Sequence, residues 1–136
     1  MNKDLQIAKK TIQTEIQALK KLSASFNHTS QFSKAVNLVS KLKGKCLVVG
    51  VGKSYLVGLK ISATLSSLGT PSVAFSANDL QHGGLGAIQK NQDALLIFSV
   101  SGESSELNSI IKYANRHNVP VIGVSCKSTS VLIKNS

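Results

Sequence analysis

Residues 47–56 read LVVGVGKSYL: an apolar run, two glycines, then a lysine and a serine. An unbroken apolar run closed by a glycine turn suits a strand buried on both faces that hands the chain to a helix. Nucleotide loops share this look, and spacing excludes them. A Walker loop needs G-x-x-x-x-G-K-[ST], because four intervening residues let successive N–H groups wrap a diphosphate. Counting back from Gly52 puts the first required glycine at position 47, which is Leu47. The dinucleotide pattern G-x-G-x-x-G accepts Gly50 and Gly52 but meets Tyr55 at its third position, where a ring obstructs close helix packing. What remains is a tight turn with Ser54 at the mouth of a helix. Free N–H groups and the helix dipole there favour one phosphate monoester, while the plainer alternative is Ser54 acting as the helix cap.

Working outward, three more apolar runs follow, SVAFS at 72–76, ALLIFSV at 94–100 and PVIGVS at 120–125. None alternates polar with apolar, so all are expected as buried strands of a parallel sheet. Between them, 54–68 carries Val57, Ile61, Leu65 and Leu68 on one stripe with Gly69 as a stop, and 105–116 carries Leu107, Ile110, Ile111 and Ala114 on another. Ahead of the strands, Leu5, Ala8, Ile12, Ile16, Leu19 and Leu22 recur at helical spacing. Phe32, Ala35, Val36, Val39 and Leu42 resume it after NHTS. The pattern predicts an α/β fold: a helical lead of two amphipathic helices over 1–43, then over 44–136 an open parallel sheet flanked by helices, with right-handed crossovers. Ligands of such sheets gather at the carboxyl ends of the strands, which directs attention to the loops after Val49 and after Phe98.

Composition narrows the partners. With 136 residues, 42% apolar and 16% charged, the chain suits one folded domain rather than a disordered one. No apolar run approaches the roughly 18 residues of a membrane helix, and the N-terminus lacks the apolar core of a signal peptide. A cytoplasmic protein without membrane attachment is expected. The net charge of +10 invites a nucleic-acid reading, yet nine of the sixteen basic residues lie in the first 45 positions and only Arg116 is an arginine. Base readout favours arginine and single-strand binding favours exposed aromatics, of which the chain has six in all, so a solvated lysine-rich helical face is expected and no nucleic acid. Cys46 and Cys126 lack metal-ligand spacing and are expected as buried thiols. Neither metal nor cofactor is expected.

A second loop repeats the design of the first. In FSVSGESSEL, residues 98–107, Ser99, Ser101, Ser104 and Ser105 surround Gly102 just before a helix. Hydroxyls and helix N-terminal amides converging on one point form a neutral donor cup for a phosphate.

Taken together, GKCLVVGVGKS, LGTPSVAF, QHGGLG, SGESSEL and VPVIGVS, in that order and spacing, resemble the sugar isomerase (SIS) domain, and within it the arabinose-5-phosphate isomerase branch. The resemblance runs from Gly44 onward. It implies a flavodoxin-like sheet, homo-oligomers (dimers or tetramers) assembled through helices, and a sugar phosphate held by the serine loops. Gly52, Ser54, Ser99, Ser101, Gly102, Ser104 and Ser105 then line the phosphate and sugar. In that branch a proton moves between C1 and C2 of a ketose or aldose phosphate through an enediolate, feeding the supply of a lipopolysaccharide sugar acid. Lys53, His82 and Glu106 fall on the positions the resemblance marks as catalytic. Lys53 suits a developing oxyanion, and His82, set in a polar glycine-rich turn, suits a substrate contact or ring opening. Glu106 in a first helical turn is equally a dipole partner, so its role rests on the resemblance. Glu103 is an exposed alternative acid, and His28 and His117 are expected at the surface.

The departures are as informative. Tyr55 and Leu56 replace the family's small residue and histidine after GKS, and Val100 replaces a polar residue, all making the mouth more apolar. A shortened SIS domain is expected, lacking a further glutamate and histidine of the family site, the last strand and closing helices of its domain, and the CBS modules often attached. That leaves a sheet edge and apolar helix faces open, and a chain that is marginal or dependent on assembly. The alternatives to an isomerase are a non-catalytic sugar-phosphate binding or regulatory module and a mainly structural subunit.

Overall fold

A computed structural model describes residues 2–26 and 30–136, which leaves His28 outside the described residues. The chain divides into two compact units, Met1–Val36 and Asn37–Ser136. In the first, helix α1 (Lys3–Ser25) starts at Asn2, whose side chain accepts the Asp4 N–H at 3.0 Å. The rings of Phe26 and Phe32, the latter in helix α2 (Ser30–Ser40), lie 4.9 Å apart. Of the predicted α1 stripe, Leu5, Ile12, Leu19 and Leu22 are all more than half exposed.

The second unit holds a four-stranded sheet with β1 (Cys46–Gly50), β2 (Ser72–Ser76), β3 (Ala94–Phe98) and β4 (Val121–Val124) in the order β2-β1-β3-β4, every pair parallel. This is the doubly wound, flavodoxin-like order. Between the strands run α3 (Lys53–Ser67), the short α4 (Ala77–Gln81) with a 3-10 turn at Gly84–Ala87, and α5 (Ser105–His117), with α6 (Val131–Lys134) closing. Leu47, Val49, Leu95 and Ile97 of the central strands meet Leu80, Leu107, Ile110, Ala114 and Leu132 in the core. Each large apolar side chain of this set contributes about 1.5–3 kcal/mol on burial. The expectation of four fully buried strands holds for β1 and nearly for β3, but β2 and β4 are only half-buried, because each has a neighbour on one side alone.

Helix α5 buries Leu107, Ile110, Ile111 and Ala114 as predicted. Helix α3 buries its predicted stripe only in part: Ile61 and Leu65 are half-buried, Val57 and Leu68 are exposed, and its fully buried residues are Gly58 and Ser62. The reason is close approach, since a Cβ on Gly58 would lie 3.1 Å from Val48 Cγ1. Small residues let α3 settle onto β1, with Leu56, Val57, Leu59 and Leu68 left exposed. Gly69 ends α3 at φ +89°, and the Thr70 N–H donates back to the Leu65 carbonyl at 2.9 Å.

At the amino ends of the strands lies a pairing with no local sequence signature. The Asp93 side chain is fully buried and accepts the N–H groups of Lys45 and Gln89, both at 2.8 Å, and the Lys45 ammonium at 2.9 Å. Burial alone would raise its pKa, but the Gln89 and Lys45 amides and the Lys45 charge outweigh it and hold the carboxyl below its ordinary value.

Cys46 is buried, as expected, and burial pushes its thiol up to about 11. Cys126 is exposed, against expectation, because β4 ends at Val124 and the cysteine falls in the turn beyond. Among the described residues no helix is long and apolar enough to cross a membrane.

Candidate functional site

Strand β1 has β2 on one side and β3 on the other, so the connections leaving β1 and β3 diverge at the carboxyl end of the sheet and open a crevice there. Gly50 and Phe98 are register partners, so the two loops singled out above begin side by side, about 4.8 Å apart.

The first loop is tighter than the sequence suggests. A Cβ on Gly50 would lie 2.6 Å from both Ser54 C and Tyr55 N, so the first turn of α3 rests directly on the end of β1. Gly52, with φ +54°, is the cap of α3 and Lys53 its first residue; Ser54 lies inside the first turn and does not cap it, which corrects the plainer expectation. The N–H groups of Ser54 and Tyr55 donate to the Val51 and Gly52 carbonyls at 3.1 and 3.0 Å, while those of Gly52 and Lys53 have no acceptor among the described residues. Lys53 is exposed and forms no ion pair among the described residues, while Ser54 and Tyr55 are half-buried.

The second loop is held together by its own hydroxyls. Ser99 is buried, its Oγ accepts the Gly102 N–H at 3.0 Å and lies 3.4 Å from Ser104 Oγ, so it shapes the loop from inside. Exposed Ser101 accepts the Glu103 N–H at 3.2 Å. Ser104 caps α5 by position without a side-chain cap bond, and Ser105 Oγ donates to Glu106 Oε2 at 3.2 Å. The N–H groups of Ser101, Ser104, Ser105 and Glu106 have no acceptor among the described residues, so four donors remain for a ligand. Gly102, at φ +65°, is buried against the segment after β4: a Cβ there would fall 2.5 Å from Ser130 Cβ.

His82 is the exposed C-cap of α4. Its chain neighbour Gln81 donates from Nε2 to the Glu106 carbonyl, which ties the turn bearing His82 to the first turn of α5, where half-buried Glu106 sits. The structure therefore gathers Ser99, Ser101, Gly102, Ser104, Ser105 and Glu106 into one loop, sets Gly52, Lys53 and Ser54 on the neighbouring strand end, and tethers the His82 turn to them. His117 is half-buried rather than fully at the surface, its ring 4.4 Å from that of Tyr113. Burial, helped by Lys90 and Arg116, lowers its pKa. Leu56 and Val100 are both exposed. Among the described residues no three His, Cys, Asp or Glu side chains converge as a metal would need.

Residues 38–136 match the SIS domain pattern. The chain belongs to the SIS domain family. This SIS domain is 32% identical over 139 residues to arabinose 5-phosphate isomerase KdsD of Francisella tularensis, an alignment that covers 100% of this chain and 42% of that one. It is 36% identical over 129 residues to KdsD of Yersinia pestis, covering 95% of this chain and 38% of that one. The chain thus spans about two fifths of the length of the curated relatives it matches. Its fold superposes with TM-score 0.90 and 27% identity on an E. coli CFT073 protein solved in complex with arabinose 5-phosphate, over 99% of this chain and 71% of the other.

Three residues of the site carry no signal in the sequence for the part they play: Gly50, Gln81 and Lys127, whose ammonium meets Glu103 at 3.1 Å. Gln81 and Lys127 act on partners 25 and 24 positions away, a separation at which no periodic pattern operates. Gly50 reads as a loop glycine, but its need is for space against the backbone of α3.

Proposed function

We propose that this SIS domain takes a sugar phosphate at the carboxyl ends of β1 and β3 and interconverts ribulose 5-phosphate and arabinose 5-phosphate. The observation that carries the proposal is the Ser99–Glu106 loop, whose four unaccepted N–H groups and exposed hydroxyls suit a phosphate. In this reading Ser99 and Gly102 shape the cup, and Gly52, Ser54, Ser101, Ser104 and Ser105 meet the phosphate and sugar. The KdsD relatives and the neighbour solved with arabinose 5-phosphate supply the substrate class. A base, Glu106 in this proposal, removes a C1 proton of the ketose, the C2 oxygen takes up negative charge beside Lys53, and a proton returns to C2 as the O1 proton passes to O2, which gives the aldose. His82 assists opening and closing of the sugar ring. Supply of a lipopolysaccharide sugar acid, a cytoplasmic setting and homo-oligomeric assembly through helices belong to the same proposal.

Paired substitution Ser54→Ala with Ser101→Ala is expected to abolish the rise in melting temperature that arabinose 5-phosphate confers. Undiminished protection would move the site elsewhere. Lys53→Ala is expected to lower turnover about 100-fold while weakening substrate binding less than about tenfold, the mark of an interaction made mainly in the transition state. Equal losses would make Lys53 a plain counter-charge.

A second reading is a sugar-phosphate binding module without turnover. It is favoured by the contrast between the hydrogen-bonded serine cup and the pair Lys53 and His82, which stand exposed with no side-chain partner among the described residues. Exchange of the substrate's carbon-bound proton with solvent separates the two: exchange requires the enediolate, and binding alone does not.

A further inference from the structure

Two acids flank the serine loop, Glu103 at its tip and Glu106 at its end, and a phosphate placed on the loop would feel both. Of the two, Glu103 alone meets a cation among the described residues. Lys127 Nζ lies 3.1 Å from Glu103 Oε1, reaching across from the segment after β4. That segment also draws in the loop's carbonyl groups. The Val100 carbonyl accepts the Cys126 N–H and the Ser125 hydroxyl, each at 3.1 Å, and the Gly102 carbonyl accepts the Leu132 N–H at 3.1 Å. The result is a polarised loop, with these carbonyl oxygens and the Glu103 carboxylate engaged by residues 125–132 and the N–H groups of Ser101, Ser104 and Ser105 left without acceptors among the described residues.

We propose that Lys127 is a positioning residue of the serine loop: it clasps Glu103 against the 125–132 segment and cancels its charge, so that the loop's donors can take an anionic phosphate. The inference rests on the sugar-phosphate reading above and adds a residue to it. Without the clasp, the Glu103 carboxylate is free to swing onto the loop's own unaccepted N–H groups, which are as ready for a carboxylate as for a phosphate. Glu103 would then compete with the ligand from within and repel it by like charge. Lys127 and Glu103 are both exposed, 55% and 37% by side chain, so their pairing adds little to folding and its removal leaves the protein folded.

The test uses the full chain with arabinose 5-phosphate as probe and calorimetric titration as readout. Lys127→Ala is expected to weaken binding about fivefold at about 0.02 M salt and less at about 0.3 M, where exposed charges are screened. Lys127→Arg keeps the charge and is expected to hold wild-type affinity. The deciding variant is Lys127→Ala combined with Glu103→Gln, which removes the competitor along with its clasp and is expected to restore binding. Unchanged affinity in Lys127→Ala overturns the proposal, and so does a loss that persists in the double variant, since that would make Lys127 a direct phosphate ligand. Amide hydrogen exchange without ligand is an independent check: the Ser101, Ser104 and Ser105 amides, taken up by the freed Glu103 carboxylate, should exchange several-fold more slowly in Lys127→Ala. If the wild type shows no affinity for the probe, the sugar-phosphate reading falls, and an exchange rate untouched by the substitution then overturns the clasp as well.

Discussion

Replacing Asp93 with alanine is expected to cost about 3 kcal/mol of stability at neutral pH, close to about 10 °C in melting temperature for a chain of this size. The carboxylate is fully buried and receives three donors, so its loss strands the N–H groups of Lys45 and Gln89 and leaves the Lys45 ammonium without its partner. These contacts join the residue before β1 to the residue before β3, the two central strands. Asp93→Asn, which keeps the shape and an acceptor oxygen, is expected to cost less, about 1–2 kcal/mol. The pH dependence has a definite sign. The folded carboxyl is held below its ordinary pKa, so the stabilisation is fully present above the unfolded value of about 4 and is lost as pH falls through the depressed folded value. Wild type and Asp93→Ala should therefore differ most at neutral pH and converge in acid. A difference in melting temperature that stays constant down to about pH 2 would show that packing, and not the charge, carries the effect.

Gly50→Ala is expected to damage the candidate site more than any single serine substitution. The added Cβ would fall 2.6 Å from Ser54 C and Tyr55 N, which are backbone atoms of the first turn of α3, and no side-chain rotation can relieve that contact. The turn carrying Lys53 and Ser54 must move away from the β3 loop, at a cost of about 3 kcal/mol and with loss of thermal protection by arabinose 5-phosphate. Gly58→Ala on the same helix is the natural comparison. Its Cβ would lie 3.1 Å from a methyl group of Val48, which can shift by a few tenths of an ångström, so about 1 kcal/mol or less is expected and protection should survive. Equal effects of the two substitutions in parallel melts with and without the sugar phosphate would show that the end of β1 tolerates displacement.

The contrast between α5 and α3 shows what limits inference from sequence. On α5 the buried set is Leu107, Ile110, Ile111 and Ala114, the set its spacing predicts, because a single apolar stripe on an otherwise polar helix has one way to face a core. On α3 apolar residues lie all round, at Leu56, Val57, Leu59, Ile61 and Leu65, so periodicity does not choose a face. Closeness of approach does, and it selects Gly58 and Ser62. The edge strands follow the same logic: SVAFS at 72–76 lacks polar alternation just as CLVVG at 46–50 does, and only its place at the end of the sheet leaves it half-buried.

The four parallel strands, helices α3 and α5 between them, and the placing of two serine loops at adjacent strand ends were legible in the sequence, because apolar runs, helical spacing and turn glycines act through neighbouring residues; α4, between β2 and β3, was not, since a turn is expected there. Only the tertiary structure decided which face of α3 is inward, that Cys126 is exposed, that Gly52 and not Ser54 caps α3, and which distant groups meet. Lys45 with Asp93, Gln81 with Glu106 and Lys127 with Glu103 are joined across 48, 25 and 24 residues. Such pairs depend on strand register and on how closely elements approach, which are properties of the packed chain that no local pattern carries.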